Sequence, residues 1–197
     1  MPRLDFWYEF ASTYSYPAAI RIGTLAQARG VDVRWRPFLL GPIFADQGWR
    51  NSPFNIYPAK GRYMWRDLER ICADRGLPFR RPDSFPQNSL LAARVATALA
   101  GEARADFSRA VYRAEFAEGR SIDDRALIER LLADLGRPAE ALQRASSDAV
   151  KTAVKASVDE AKRLGIFGAP SFVAADNELF WGDDRLEVAL EWAVARA

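Results

Sequence analysis

The 197-residue chain contains no histidine, and cysteine occurs once, at Cys72. The first absence excludes Ser-His-Asp and Cys-His catalysis and most zinc and non-haem iron sites, all of which draw on imidazole. The second excludes an internal disulfide and any Cys-x-x-Cys exchange chemistry. Cys72 sits in a helical pattern, Asp67-Leu68-Glu69-Arg70-Ile71-Cys72-Ala73, and reads as a small buried apolar residue. No apolar run approaches the ~18 residues of a membrane helix. No N-terminal stretch has the charged start, apolar run and cleavage site of a secretory signal, so a cytoplasmic location is expected. Charges nearly balance, at net +2, and no basic stretch is interleaved with aromatics, which argues against nucleic acid as a partner. Catalysis is left to hydroxyls, carboxylates, amines, backbone groups or a cofactor, with no metal.

What is present begins with Leu4-Asp5-Phe6-Trp7-Tyr8-Glu9-Phe10, an aromatic strand. It runs into Ala11-Ser12-Thr13-Tyr14-Ser15-Tyr16-Pro17 and then a helical spacing over 16–29, closed by Gly30. Residues 31–36 alternate as a second strand, stopped by Pro37. A Pro/Gly-rich loop is expected over 40–55. Helices are expected over 60–75, 89–99 (capped by Asn88 or Ser89), 105–118, 123–135, 138–144 and 147–164. Strands return at 171–174 and 178–181 around the turn 175–177, and Asp183 or Asp184 caps a last helix over 185–195. The order β-α-β, helical block, β-β-α predicts an α/β fold of thioredoxin-like topology with a large inserted all-helical subdomain. Residues 1–42 and 165–197 form the first domain and 43–164 the insertion.

Ser12 and Ser15 have the spacing of a Cys-x-x-Cys pair without its sulfurs. A helix start offers unpaired N–H groups and the positive end of the helix dipole, which stabilise an anion. Ser12 reads either as a helix N-cap or turn hydroxyl bonding its own backbone or, if Ser15 next to Pro17 caps the helix, as a hydroxyl free to face a ligand. Gly165-Ile166-Phe167-Gly168-Ala169-Pro170-Ser171 reads either as a helix end with its stop signals or as a cis Ala169-Pro170 bond facing Ser12. Phe180-Trp181-Gly182-Asp183-Asp184-Arg185 reads either as a strand end, turn, cap and ion pair or as a clamp for an amino-acid-like group.

Together these segments resemble the 2-hydroxychromene-2-carboxylate isomerases and their relatives, the kappa-class glutathione transferases. The resemblance rests on Ser12-x-x-Ser15-Tyr16, Arg36-Pro37-Phe38-Leu39-Leu40-Gly41, Asn51-x-Pro53, Lys60-x-x-Tyr63 with Asp67-Leu68, Phe85-Pro86-x-Asn88-Ser89, the 165–170 segment and Trp181-Gly182-x-Asp184-Arg185. It implies a thioredoxin-like domain interrupted by helices, glutathione as cofactor, a small aromatic substrate and a homodimer. It implies that Ser12 faces the glutathione sulfur as the catalytic residue. Asn51, Ala169, Pro170, Gly182, Asp183, Asp184 and Arg185 are the implied glutathione-binding positions, and Ile43, Phe44, Asn55 and Lys60 the implied substrate pocket. Thr13 stands where Pro is usual, and Pro17 where Leu is usual. The implied activity is glutathione-dependent interconversion of 2-hydroxychromene-2-carboxylate and trans-o-hydroxybenzylidenepyruvate, or of a related pair, by reversible thiolate addition. The rivals are a kappa-like transferase or peroxidase and a non-catalytic thioredoxin-like binding module.

Overall fold

The computed structural model describes residues 1–136 and 140–197. Its centre is a four-stranded sheet in the order β2-β1-β3-β4. The strands are β1 (Arg3–Tyr8), β2 (Asp32–Pro37), β3 (Ser171–Ala174) and β4 (Leu179–Trp181). β1 runs parallel to β2 and antiparallel to β3, and β4 closes the sheet antiparallel to β3. β1 therefore has a partner on each side, and it is buried on both faces after Arg3. Its near-continuous aromatic content suits that position. Phe6 pairs across the sheet with Trp35 and Phe172, and its ring meets theirs at 4.9 and 5.5 Å.

α1 (Ser15–Arg29) crosses from β1 to β2 and ends where Gly30 adopts φ +65°, the left-handed conformation glycine reaches without penalty. Between β2 and β3 the described chain is helical: α2 (Gly41–Asp46), α3 (Pro53–Ile56), α4 (Pro58–Asp74), α5 (Leu90–Ala98), α6 (Gly101–Tyr112) with a π turn at Arg113–Ala117, α7 (Arg125–Asp134), α8 (Glu140–Ala145) and α9 (Asp148–Arg163). A 3₁₀ turn at Asp183–Arg185 leads into α10 (Leu186–Ala195). Caps set several starts. Asp124 accepts from the Ala126 N–H at 2.9 Å and Ser147 from the Val150 N–H at 3.3 Å.

Both faces of the sheet are covered. One apolar cluster joins Phe6 and Tyr8 to Ile22 of α1, Phe107 and Tyr112 of α6, Ile128 of α7 and Leu190 of α10. The second joins Trp7 and Val173 to Phe38, Ile43 of α2 and Ala161 of α9. Arg104 stitches the helices to the sheet edge, donating to the carbonyls of Trp35, Ala96 and Leu99 at 2.7–2.9 Å.

The differences from sequence expectation are local. The 40–55 stretch holds two short helices, because Pro42 and Pro53 sit in the first turns where a missing N–H costs nothing. Neither Ser15 nor the 183–184 acids cap through their side chains. Ser15 is the first residue of α1, wholly buried, and bonds none of its N–H groups, while Tyr14 occupies the cap position. Asp183 lies in the 3₁₀ turn, and Arg185 precedes α10 without a side-chain cap. Asn88, not Ser89, accepts from the Leu90 N–H at 3.1 Å. Pro138, expected to start a helix, lies outside the described residues.

Candidate active site

The end of β1 and the segment before α1 form one wall of a cavity of about 750 Å³, a size suited to a small ligand. The turn from Glu9 to Ser12 is closed by the Ser12 N–H donating to the Glu9 carbonyl at 3.0 Å. It delivers Ser12 to the cavity with its hydroxyl donating to the Ala169 carbonyl at 2.8 Å. The Ala169–Pro170 peptide bond is cis, as is Phe85–Pro86. Thr13 and Tyr14, at the entry to α1, also line the cavity. The Thr13 hydroxyl is buried without a partner among the described residues, and the Tyr14 hydroxyl donates to Asp67 of α4 at 3.0 Å. An anion held here faces the positive end of a 15-residue helix.

The opposite wall comes from 44–60. Asn51 receives two bonds on its Oδ1, from the Ser52 N–H at 2.7 Å and from Asn55 Nδ2 at 3.1 Å. Its own Nδ2 is left without a protein partner among the described residues. Asn55 also donates to the Phe85 carbonyl at 3.0 Å, so it fixes Asn51 and the 85–88 loop rather than lining the space. Lys60 stands on the wall with its ammonium 5.1 Å from the Tyr57 ring, and Arg50 adds a second cation. Phe44, Trp49, Phe54 and Phe85 supply aromatic surface. Phe38 is buried in the core and Tyr57 lies off the wall. At the mouth Phe167 and Trp181 pair at 4.9 Å, both about half exposed. A Cβ on Gly168 would lie 2.5 Å from Trp181 Nε1, so only glycine lets that indole lie flat against the backbone beside Ala169.

The structure thus brings Ser12, Asn51, Ala169, Phe44 and Lys60 to one cavity. It places the remaining expected residues elsewhere. Pro170 is buried, and its carbonyl accepts from the Gly182 N–H at 3.0 Å, coupling the wall to the 182–185 turn. Asp183 is 3% exposed and holds Arg21 of α1 and Arg75 at the end of α4, so its carboxylate is taken. Burial raises its proton affinity and Arg75 opposes the rise. Asp184 and Arg185 are exposed beside each other at 3.6 Å. Ile43 is packed into the second apolar cluster.

Glu9 is the residue on this wall that motif reading passes over. It is 6% exposed, and its carboxyl accepts from the Ser89 hydroxyl and the Ala11 N–H. Burial raises its pKa to about 7. Its signal was a lone acid inside the aromatic run Phe6-Trp7-Tyr8-Glu9-Phe10.

Residues 3–191 match the DSBA-like thioredoxin domain family. The chain belongs to that family. It is 29% identical over 186 residues to the 2-hydroxychromene-2-carboxylate isomerase of Sphingobium xenophagum, covering 93% of this chain and 94% of that one. Glutathione S-transferase kappa 1 of Homo sapiens is 26% identical over 204 residues, covering 95% and 89%. A solved 2-hydroxychromene-2-carboxylate isomerase superposes with a TM-score of 0.86 at 28% identity, over 98% of this chain and 95% of that one. This member of the DSBA-like family has Ser12 and Ser15 at Cys-x-x-Cys spacing, with Cys72 its one thiol, buried in α4. No helix among the described residues is long and apolar enough to cross a membrane.

Proposed function

We propose that the protein is a glutathione-dependent isomerase acting on a small aromatic substrate of the 2-hydroxychromene-2-carboxylate type. The observation that carries this reading is the Ser12 hydroxyl, 2.8 Å from the Ala169 carbonyl, on the wall of a largely apolar cavity at a helix start. The donor set fits a thiol tripeptide. Ser12 offers a hydroxyl to sulfur, the Ala169 main chain offers a peptide edge, and Asn51 Nδ2 and the cations of Lys60 and Arg50 face carboxylates. The bond from the Gly182 N–H to the Pro170 carbonyl ties the 182–185 turn to that edge, which supports a role for the turn in holding an amino-acid group. When bound, glutathione supplies a thiolate that adds reversibly to a conjugated double bond. Ser12 turns its O–H from Ala169 to that sulfur, α1 adds its positive end, and Phe44, Trp49, Phe54 and Phe85 exclude water around the aromatic ring. The cytoplasmic location and the homodimer implied by the resemblance are part of the same reading.

Calorimetry with glutathione, followed by absorbance assays on the chromene substrate, tests it. Ser12→Ala is expected to keep glutathione binding and to lose on the order of 10²-fold in turnover, the usual cost of one donor to a developing anion. Unchanged turnover removes Ser12 from this role. The 26% identity to a kappa transferase favours one second reading, in which the conjugate is released. Labelled glutathione separates the two, because an isomerase returns the tripeptide unmodified.

A further inference from the structure

A protein without histidine that handles a thiol needs somewhere to put the thiol proton. The hydroxyl of Ser12 donates to sulfur but is too weak a base to accept that proton. Lys60 and Arg50 are donors without an acceptor lone pair to take it. Of the carboxyl-bearing residues among the described chain, the cavity wall has one, Glu9.

Its surroundings differ from those of an ordinary structural acid. Among the described residues Glu9 has no arginine or lysine paired with it, whereas Asp183 and Asp5 each hold arginines. Its two fixed donors are neutral, the Ser89 hydroxyl and the Ala11 N–H. Behind it lies a further acid, Glu115, fully buried on the π turn, with neither carboxyl oxygen partnered among the described residues. Burying an unpaired carboxylate there would cost more than keeping its proton, so burial holds the Glu115 carboxyl well above the usual carboxylate range. Tyr112 of α6 also faces Glu9 and donates its hydroxyl to the Glu9 carbonyl at 2.9 Å. Burial raises its proton affinity too, so it stays neutral. Glu115 and Tyr112 thus hold their protons, and of these three groups only Glu9 lines the cavity. π turns inside α-helices often accompany such sites.

We propose that Glu9 is the acid–base group of the glutathione site, taking the thiol proton when glutathione binds and returning it when glutathione leaves. This rests on the glutathione reading above. In the forward step the S–H bond breaks, its electron pair stays on sulfur, and an O–H bond forms on the Glu9 carboxylate. Release reverses both changes, so no co-reactant is consumed and no proton is lost to water. A pKa of about 7 suits a group that must accept and give back a proton near neutrality.

The test counts protons. Glutathione alone is titrated into the protein by calorimetry at about pH 8, in buffers of different ionisation enthalpy, while thiolate absorbance is followed in the ultraviolet. The wild type is expected to develop thiolate with close to zero net proton release. Glu9→Gln, which can still accept from Ser89, is expected to bind glutathione while either releasing about one proton per thiolate or forming several-fold less thiolate. Ser89→Ala serves if the first variant does not fold. Losing a donor that lowers Glu9's proton affinity, it moves the pH above which glutathione binds without net proton release to a higher value. The proposal fails if the wild type binds without thiolate, if it releases a full proton with it, or if the variants match the wild type in both readouts. Absence of glutathione binding to the wild type instead overturns the functional reading, and this inference with it.

Discussion

At the scale of single residues, the two acids Glu9 and Glu115 couple stability to pH. Both hold protons more tightly folded than unfolded, because burial disfavours their charged forms. Their contribution is complete below the unfolded carboxylate pKa of 4.5 and, for Glu9, is lost as pH rises through about 7. Urea unfolding across this window is expected to show stability falling by up to about 3 kcal/mol from Glu9, with Glu115 extending the decline to higher pH. Glu9→Gln and Glu115→Gln should each flatten the profile, and a profile that neither variant changes contradicts the assignment. How far such residues could be read from sequence varies with what their chemistry depends on. Ser12 was legible because a strand-to-helix junction is a local pattern. Asp183 was not. Its partners Arg21 and Arg75 lie 162 and 108 residues away, and only packing assigns its carboxylate to them. Ser89 was legible as a helix-start residue, but its hydroxyl is drawn to Glu9, 80 residues earlier, leaving the cap to Asn88.

At the scale of elements, the cavity wall depends on how closely α3 approaches α4. Gly61, inside α4, has its missing side chain directed at the backbone carbonyl of Phe54 in α3, and a Cβ there would collide with it. Alanine ordinarily stabilises a helix interior over glycine by about 1 kcal/mol. Here overpacking against backbone outweighs that gain. Gly61→Ala is expected to destabilise by ~1–3 kcal/mol in thermal or chemical unfolding. On the proposed function it should also weaken glutathione binding, because Phe54 and Lys60 move with the two helices, and a more stable protein with unchanged binding would contradict the argument. The long elements were legible from spacing and caps, as with Ser147 before α9 and Asp124 before α7. α2 and α3 were not. Their prolines mark loops and helix starts alike, and two helices of six and four residues have too little periodicity to decide between them.

At the scale of the whole molecule, the expected division into 1–42 with 165–197 and a separate 43–164 meets a core that runs through both parts. Phe6 and Tyr8 of the sheet share one apolar cluster with Phe107, Tyr112 and Ile128 of the helical block, and the Tyr8 hydroxyl bonds Ser108 at 2.7 Å. The two parts are therefore expected to unfold together, with far-ultraviolet and near-ultraviolet circular dichroism giving coincident transitions. Two resolved transitions would indicate independent units. The order of strands has a consequence for the chain as it is made. β1 is complete within the first eight residues, yet its partner β3 lies at Ser171–Ala174, and Ser12 meets Ala169 across 157 residues. At ~5–20 residues per second, synthesis separates those halves by on the order of ten seconds. Throughout that interval a growing chain presents an aromatic strand with one edge unpaired, a hazard for association with neighbouring chains. The wall that Ser12 and Ala169 share can close only after Ala169 is made, so a product stalled or clipped before that residue is expected to be sticky and inert rather than partly active.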